Sequence, residues 1–224
     1  MSARKLYFTP GSPFARAIRI MLAELGLDWE PDVARLKDSA GERAKRSPVL
    51  QVPTLVDNGL TLWDSGLIAA YLLATYPARA AGEAPPLAQA IARPGHEWLD
   101  RRLFATVQTL GESTVLVSQL RWSGTTARDN AFIGRNVERI QGLLAWFETQ
   151  LADDGEGFLP GVLSVQDIFC ICHLMFITHR PLEIEWVRER TPRLAALHDR
   201  LGERASFRRH GVTWWEPGMA EPVY

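Results

Sequence analysis

Two short segments, Val52-Pro53 and Asp64-Ser65, carry residue types that are suited to holding a small peptide. Proline cannot donate to a strand ladder, so a proline at the head of a strand, in a cis peptide bond, would turn the backbone of Val52 outward. Asp64-Ser65 stands at the predicted N-terminus of a helix. This N-terminus attracts a carboxylate, and the side chain of Asp64 attracts an ammonium group. The ligand that suits both segments is an α-amino acid head followed by an extended peptide.

The elements that hold these two segments are a predicted hairpin and the helix that follows it. Residues 52–56 predict a strand, Asn58-Gly59 a tight turn, and residues 60–63 the returning strand. Asp64-Ser65 then caps a helix whose apolar side chains recur at helical spacing. These apolar positions are Ile68, Ala69, Leu72, Leu73 and Tyr76.

The start of the chain predicts a strand, a turn and a helix. Residues 5–9 form the candidate strand and Pro10-Gly11 the turn. Ser12-Pro13 is typical of a helix start, because serine is a good N-cap and the missing N–H of proline would be unpaired there anyway. The helix is expected to stop at Gly26. Its apolar face consists of Phe14, Ile18, Met21, Leu22 and Leu25.

Between this helix and the hairpin the pattern is weaker. Residues 29–35 predict a second strand, although Pro31 argues against it. Residues 37–47 are polar and predict at most one irregular helical turn. The N-terminal order of elements is therefore β-α-β-(α)-β-β-α.

The second half of the chain predicts only helices. Residues 79–86 have the composition of a linker, which divides the chain into residues 1–78 and residues 87–224. Residues 164–167 resemble a capping box, and the segment after them is apolar nearly all round, so we expect a buried central helix there. The predicted helices lie around residues 98–110, 133–151, 168–177 and 192–204.

Val52-Pro53 followed by Asp64-Ser65 resembles the glutathione-binding core of the glutathione S-transferase family. The order of elements is similar to that family's thioredoxin-like layout, and the capped apolar helix is similar to one in its second domain. The resemblance implies an α/β thioredoxin-like N-terminal domain plus an all-α C-terminal domain, with glutathione as co-substrate. It also implies a homodimer, for which Leu67 and Tyr71 are candidate contacts on the helix after Asp64.

The resemblance implies that Ser12 activates the glutathione thiol. At the N-terminus of the first helix its hydroxyl would donate a hydrogen bond to the sulfur, and the helix dipole would favour the thiolate. Ser12 as a plain N-cap remains an alternative. Tyr7, near the end of the first strand, and Thr9 are alternative contacts for the sulfur.

The resemblance implies six binding residues: Val52, Pro53, Asp64, Ser65, Lys37 and Gln51. The backbone of Val52 would pair with the cysteinyl part of glutathione, in a geometry that Pro53 sets. Asp64, one methylene shorter than the usual glutamate, and Ser65 would take the ammonium and carboxylate of the γ-glutamyl group. Lys37 would reach the glycyl carboxylate, with a solvated surface lysine as the alternative, and Gln51 would touch the peptide.

The second substrate is expected to be a small hydrophobic electrophile bound between the domains. Candidate wall residues are Leu110, Trp122, Trp214 and Trp215, although an ordinary core position is the commoner alternative for each of them. The function that follows is a glutathione transferase. Alternatives are another glutathione-dependent reaction on the same site, such as isomerisation, dehalogenation or ether cleavage, and a non-catalytic binding or regulatory protein with the same fold.

Composition argues against several other classes of protein. The 224 residues carry 25 Lys plus Arg and 26 Asp plus Glu, which gives no charge excess for nucleic acid or an anionic membrane. No apolar run approaches the roughly 20 residues of a membrane span. Cys170 and Cys172 are too close for an ordinary structural disulfide, so a cytoplasmic protein is expected. Both cysteines stand in an apolar helix, where no metal site is expected. Neither stands at the start of the first helix, where the redox-active classes of the family carry a cysteine and this chain has Ser12.

Overall fold

The computed structural model describes residues 4–35, 38–77, 85–126 and 129–213. Its strands are β1 (Lys5–Phe8), β2 (Glu30–Val33), β3 (Thr54–Asp57) and β4 (Leu60–Trp63). Its helices are α1 (Pro13–Glu24), α2 (Ala40–Ala44), α3 (Ser65–Thr75), α4 (Glu97–Trp122), α5 (Ala131–Gln150), α6 (Val165–Thr178), α7 (Pro192–Glu203) and α8 (Ala205–Arg209). A 3₁₀ turn spans Arg188–Arg190.

The four strands form one mixed sheet in the order β2-β1-β3-β4. β1 pairs with β2 in parallel and with β3 antiparallel, and β3 pairs antiparallel with β4. Leu6 and Leu55 are opposite each other on one face and are fully buried in the core with α1 and α3. This confirms the thioredoxin-like N-terminal layout that the sequence predicted.

The register brings four chain ends to one edge of the sheet. Tyr7 is opposite Thr54, so the end of β1 lies beside the start of β3. Thr54 is also opposite Trp63, so the end of β4 lies on the other side of the same residue. Val33 is paired with Phe8, so β2 ends there too. Neighbouring strands are about 5 Å apart, so the segments that leave these ends are close together.

Two prolines explain where the strands differ from expectation. Pro31 lies within β2, and it is tolerated because β2 is an edge strand of the sheet. β3 begins at Thr54 and not at Val52, because Pro53 has no N–H to offer the ladder. The Val52–Pro53 peptide bond is cis.

The helical half is built around α6, which packs against both α1 and α4. Every residue from Val165 to Ile177 is buried, as the apolar sequence predicted. The capping box is confirmed: Ser164 Oγ accepts the Asp167 N–H, and the Asp167 carboxylate accepts the Ser164 N–H. α4 begins at Glu97, one residue before the predicted start, and continues to Trp122, well beyond the predicted residue 110. The short α8 was not predicted from the sequence.

The two halves are joined by polar contacts at both ends of α1. At its C-terminal end, Arg204 donates to both carboxylate oxygens of Glu24, at 2.7 and 2.8 Å. Before its N-terminal end, Arg180 donates to the Gly11 carbonyl at 2.8 Å. α1 is therefore held between the sheet and the helical half. Within the described ranges, every helix is too short or too polar to cross a membrane.

Candidate functional site

Ser12 occupies the turn between β1 and α1 as the N-cap of the helix. Its N–H donates to the Thr9 carbonyl at 3.0 Å, which closes the turn. Its Oγ accepts the Ala15 N–H at 3.2 Å, and Pro13 is the first helical residue, as predicted. The hydroxyl hydrogen of Ser12 meets no acceptor among the described residues, so it is available to a ligand.

Ser12 also lines a small pocket between the sheet edge and the helical half. Residues that share this pocket include Pro13, Arg16, Cys172, Phe176 and Val212. Carbon atoms make up most of its wall, and Arg16 contributes a charge. Ser12 therefore combines a free hydroxyl hydrogen with an apolar recess of about 10 Å³, which has room for about one water molecule.

The Val52-Pro53 segment stands at the same edge of the sheet. Among the described residues, the N–H and C=O of Val52 form no hydrogen bond with another backbone group. A half-buried backbone with free donor and acceptor groups suits the addition of an extended peptide. The side chain of Gln51 next to it is exposed to solvent.

Asp64 and Ser65 begin α3 at this edge. Asp64 is the N-cap and its Oδ1 accepts the Leu67 N–H at 2.8 Å. Its φ of 70° lies in the region that only glycine adopts freely. A strained residue of this kind costs about 1–3 kcal/mol and is found mainly at functional sites.

Gln108 of α4 reaches this site from the helical half, and its role was not predicted from the sequence. Its Nε2 donates to Ser65 Oγ at 3.2 Å, while its Oε1 is buried without a partner in the described part of the chain. A glutamine in a long helix is ordinary, so no sequence signal distinguishes it. Ser65 is itself only 5 % exposed, and this contact fixes the direction of its hydroxyl.

Arg180 and Arg16 were also missed. Arg180 follows α6 and holds the turn before Ser12 through the Gly11 carbonyl. Its guanidinium lies 3.9 Å from the Phe176 ring centre. Arg16 is buried on the apolar side of α1. Arginines are common on helix surfaces, so neither position stands out before the fold is known.

Tyr7, the alternative to Ser12, lies on the other face of the sheet. It alternates with Leu6 and Phe8, which face the core, and Arg46 covers its ring at 4.7 Å from the ring centre. Its hydroxyl oxygen is buried without a hydrogen-bond partner within the described ranges. Burial also raises the pKa of Tyr7 above its ordinary value. A hydroxyl that is closed off in this way does not reach the pocket at Ser12.

Other expected site residues are placed differently or not described. Lys37, Trp214 and Trp215 lie outside the described residues. Leu110, a candidate for the wall of the second-substrate site, is fully buried in the core instead. Trp122 is 36 % exposed, and its ring centre lies 5.8 Å from the guanidinium carbon of Arg180.

The two cysteines are free thiols inside the helical core. Burial raises the pKa of Cys170 well above its usual range and that of Cys172 to about 11, so both are thiols at neutral pH. Across the described ranges, no group of three or more His, Cys, Asp or Glu side chains is arranged to hold a metal ion.

Comparison with protein families identifies both halves of the chain. Residues 6–80 match the family model described as glutathione S-transferase, N-terminal domain. Residues 88–200 match the model for the glutathione S-transferase C-terminal domain.

Among solved structures, the chain is similar to a glutathione S-transferase from Methylobacterium radiotolerans in complex with glutathione sulfonate. The two are 26% identical with a TM-score of 0.78, over 98% of this chain and 99% of that one. A glutathione S-transferase from Methylobacillus flagellatus with glutathione bound shares the fold, with 22% identity and a TM-score of 0.79, over 94% of this chain and 100% of that one.

Among curated proteins, the chain is similar to glutathione S-transferase D7 of Drosophila melanogaster. The identity is 35% over 74 residues, which is 32% of this chain and 33% of that protein. A protein of the same name from Anopheles gambiae is 36% identical over 76 residues, 32% of this chain and 34% of that one. The chain thus matches about a third of the length of these curated relatives.

Proposed function

Because this chain belongs to the glutathione S-transferase family, we propose that it is a glutathione transferase that uses Ser12 to activate the thiol for attack on a small hydrophobic electrophile. The observation that carries the proposal is the hydroxyl of Ser12. It is fixed as the N-cap of α1 by the Ala15 N–H, has its own hydrogen to donate, and faces an apolar pocket.

The sheet edge supplies the binding groups for glutathione. The free N–H and C=O of Val52 would pair with the cysteinyl residue, with Pro53 shaping the turn and Gln51 beside the peptide. Asp64 would take the ammonium group, and the N-terminus of α3 with the Ser65 hydroxyl would take the carboxylate. Lys37 stays a prediction for the glycyl carboxylate.

Gln108 supports this arrangement from the helical half. Because its Nε2 donates to Ser65 Oγ, the serine hydrogen is left to donate to the ligand carboxylate. Its buried Oε1, which has no partner among the described residues, suits an ammonium group. The residues present therefore fit the γ-glutamyl head, with donors for the carboxylate and acceptors for the ammonium.

The reaction requires the protein to stabilise the thiolate anion of glutathione. The thiol loses its proton to solvent, and Ser12 donates a hydrogen bond to the resulting thiolate while keeping its own proton. The sulfur then forms a bond to the electrophilic carbon, and that carbon releases its leaving group, such as chloride, together with the bonding electron pair. A thiol with a pKa of about 8.5 is only a few per cent ionised at pH 7. Full ionisation therefore gains roughly 30-fold in rate, or about 2 kcal/mol. Larger gains must come from positioning the electrophile beside the sulfur.

Other expectations remain part of this proposal. They are the division into domains at residues 1–78 and 87–224 with the linker 79–86 between them, the homodimer, and the cytoplasmic location. Leu67, a candidate dimer contact, is 53 % exposed. Tyr71, the other candidate, already bonds within the chain, because its hydroxyl donates to Asp57 Oδ2 at 3.2 Å.

The proposal is tested by measuring binding and turnover separately. Calorimetry with glutathione and S-methylglutathione should give saturable binding to one site per chain. Initial rates with 1-chloro-2,4-dinitrobenzene should then rise with glutathione and saturate. Absence of binding for both peptides would overturn the proposal. Binding without turnover on this or any other electrophile panel would support the non-catalytic alternative instead.

A further inference from the structure

Arg180 stands just after α6, beside the turn that carries Ser12. Its Nη2 donates to the carbonyl of Gly11, the residue before Ser12, at 2.8 Å. The recess that Ser12 lines has room for about one water molecule, so an electrophile has to lie outside it. Two residues of the recess wall, Gly11 and Phe176, contact Arg180, which is not part of that wall. Arg180 therefore borders the space in which the electrophile would meet the sulfur.

Two aromatic rings flank the guanidinium of Arg180. Its carbon lies 3.9 Å from the ring centre of Phe176 on α6 and 5.8 Å from that of Trp122. Trp122 is the last residue of α4, and its side chain is exposed to solvent. Flat aromatic molecules stack on rings of this kind and on the plane of a guanidinium. The groups outside the recess therefore suit an aromatic second substrate.

The three segments that meet at Arg180 carry a net positive charge. They are residues 9–16, 118–124 and 176–184, and their charged side chains are Arg16, Arg121, Arg180 and Glu183. Glu183 lies 3.3 Å from Arg121. A guanidinium has five N–H donors in a planar fork, which is enough to serve the Gly11 carbonyl and a ligand carboxylate together.

We propose that Arg180 makes the enzyme selective for aromatic electrophiles that carry an anionic group, such as a carboxylate; this inference rests on the proposed function. The ring lies against Trp122, and its carboxylate pairs with the guanidinium. The sulfur held at Ser12 forms a bond to the ring carbon that bears the leaving group, and the leaving group departs with the bonding electron pair. Arg180 binds the substrate and exchanges no proton with it.

The test uses two glutathione conjugates that differ by one charge. They are the products of glutathione with 4-chloro-3,5-dinitrobenzoate and with its methyl ester, in which the sulfur has replaced chloride. Calorimetry measures the affinity for each conjugate, so the result does not depend on turnover. Wild type should bind the carboxylate conjugate about tenfold more tightly than the ester, which is near the lower end of what hydrogen bonds to charged groups contribute.

Variants separate the charge of Arg180 from its contact with Gly11. Arg180→Met should abolish the preference for the carboxylate conjugate, and Arg180→Lys should keep most of it because the charge remains. The lost hydrogen bond to the Gly11 carbonyl should weaken both conjugates alike, so the ratio of the two affinities reports the charge. Arg102→Met is the matched control, because the Arg102 guanidinium also lies over a ring, that of Trp146 on α5. It should leave the ratio unchanged.

Equal affinity of wild type for the two conjugates would overturn the inference, as would a preference that survives in Arg180→Met. Binding of S-methylglutathione without either conjugate would also overturn it, because the ring would then not fit beside Trp122. In each of these cases the proposed function stands. If wild type binds neither the conjugates nor S-methylglutathione, the proposed function itself fails.

Discussion

The amide of Gln108 on α4 donates a hydrogen bond to Ser65 Oγ at the start of α3, 3.2 Å away. This contact crosses between the helical half and the sheet half at the place where the ligand head group is proposed to bind. A hydrogen bond of this kind contributes only about 0.5–1.5 kcal/mol to stability. It also orients the Ser65 hydroxyl, which is proposed to meet the ligand. The proposed head-group site is therefore assembled from both halves of the chain.

Replacing Gln108 tests this relationship. Gln108→Leu should weaken glutathione binding roughly 3- to 10-fold, because one hydrogen bond contributes about 0.5–1.5 kcal/mol. Calorimetry measures the change. Thr109→Ala is the control, since that hydroxyl bonds only to the Ala105 carbonyl of its own helix. An unchanged affinity in Gln108→Leu would show that Ser65 needs no support from α4.

Asp64 has two separable roles, the cap of α3 and the charge. Asp64→Asn should keep the cap and tolerate the positive φ, so the melting temperature should change little. Glutathione affinity should fall about tenfold with the lost charge, because hydrogen bonds to charged groups contribute about 1.5–3 kcal/mol.

Asp64→Ala is the matched comparison. It should lose the affinity and in addition about 0.5–2 kcal/mol of stability, which thermal unfolding measures. If Asp64→Asn binds glutathione as tightly as wild type, the carboxylate does not meet the ammonium group.

Gly111 on α4 leaves the space that His173 fills. A Cβ at residue 111 would stand 2.6 Å from Phe14 Cζ and would overlap the His173 ring. Gly111→Ala should destabilise the fold by about 1–3 kcal/mol through overpacking. Adding His173→Ala should recover part of that loss. Two independent, additive penalties in thermal unfolding would contradict a direct contact.

Two buried groups give stability opposite dependences on pH. Burial lowers the pKa of His173 to about 3, well below its unfolded value near 6.5. The unfolded state therefore binds more protons between these values, and stability falls as the pH drops from 6.5 toward 3. Burial raises the pKa of Asp167 to about 6, so its contribution falls as the pH rises from about 4 to 6.

Variants separate these two contributions. His173→Leu should flatten the acid side of a plot of melting temperature against pH, because no ring remains to be protonated on unfolding. Asp167→Asn should remove the opposing trend and steepen the same side of the plot. Parallel curves for wild type and both variants would contradict these assignments.

The turn and the helix caps with local chemical signals were predicted well from the sequence. The Asn58-Gly59 turn, the N-caps Ser12 and Asp64, and the capping box at Ser164 all have local chemical signals, and the structure contains each of them. Local signals of this kind depend on neighbouring residues only. The sheet register then brings the predicted segments to one edge.

Contacts between distant segments were not predictable. The side chain of Arg16 is held by contacts with α6 and with the segment after α7. That of Gln108 is held by a hydrogen bond to the start of α3, and that of Arg180 by a hydrogen bond to the turn before Ser12. None differs from a surface residue until the helices are packed. Leu110 was misplaced for the same reason, because an apolar residue on a helix fits a core or a pocket equally well until its neighbours are known.

The role of Ser12 separates into a cap and a hydrogen bond to sulfur. Ser12→Ala loses both, and the lost cap costs about 0.5–2 kcal/mol of stability. Ser12→Gly loses the hydroxyl with a cap penalty of only a few tenths of a kcal/mol. Comparing the two variants therefore distinguishes reduced binding caused by fraying of α1 from the chemical effect of the hydroxyl.

The most direct measurement is the pKa of the glutathione thiol when bound, from the ultraviolet absorbance of the thiolate against pH. In wild type the pKa should lie at least one unit below the value of about 8.5 for a free thiol. In Ser12→Gly it should return most of the way, with glutathione still bound. An equal, lowered pKa in both proteins would contradict the central role of Ser12, and an unshifted pKa in wild type would contradict thiol activation altogether.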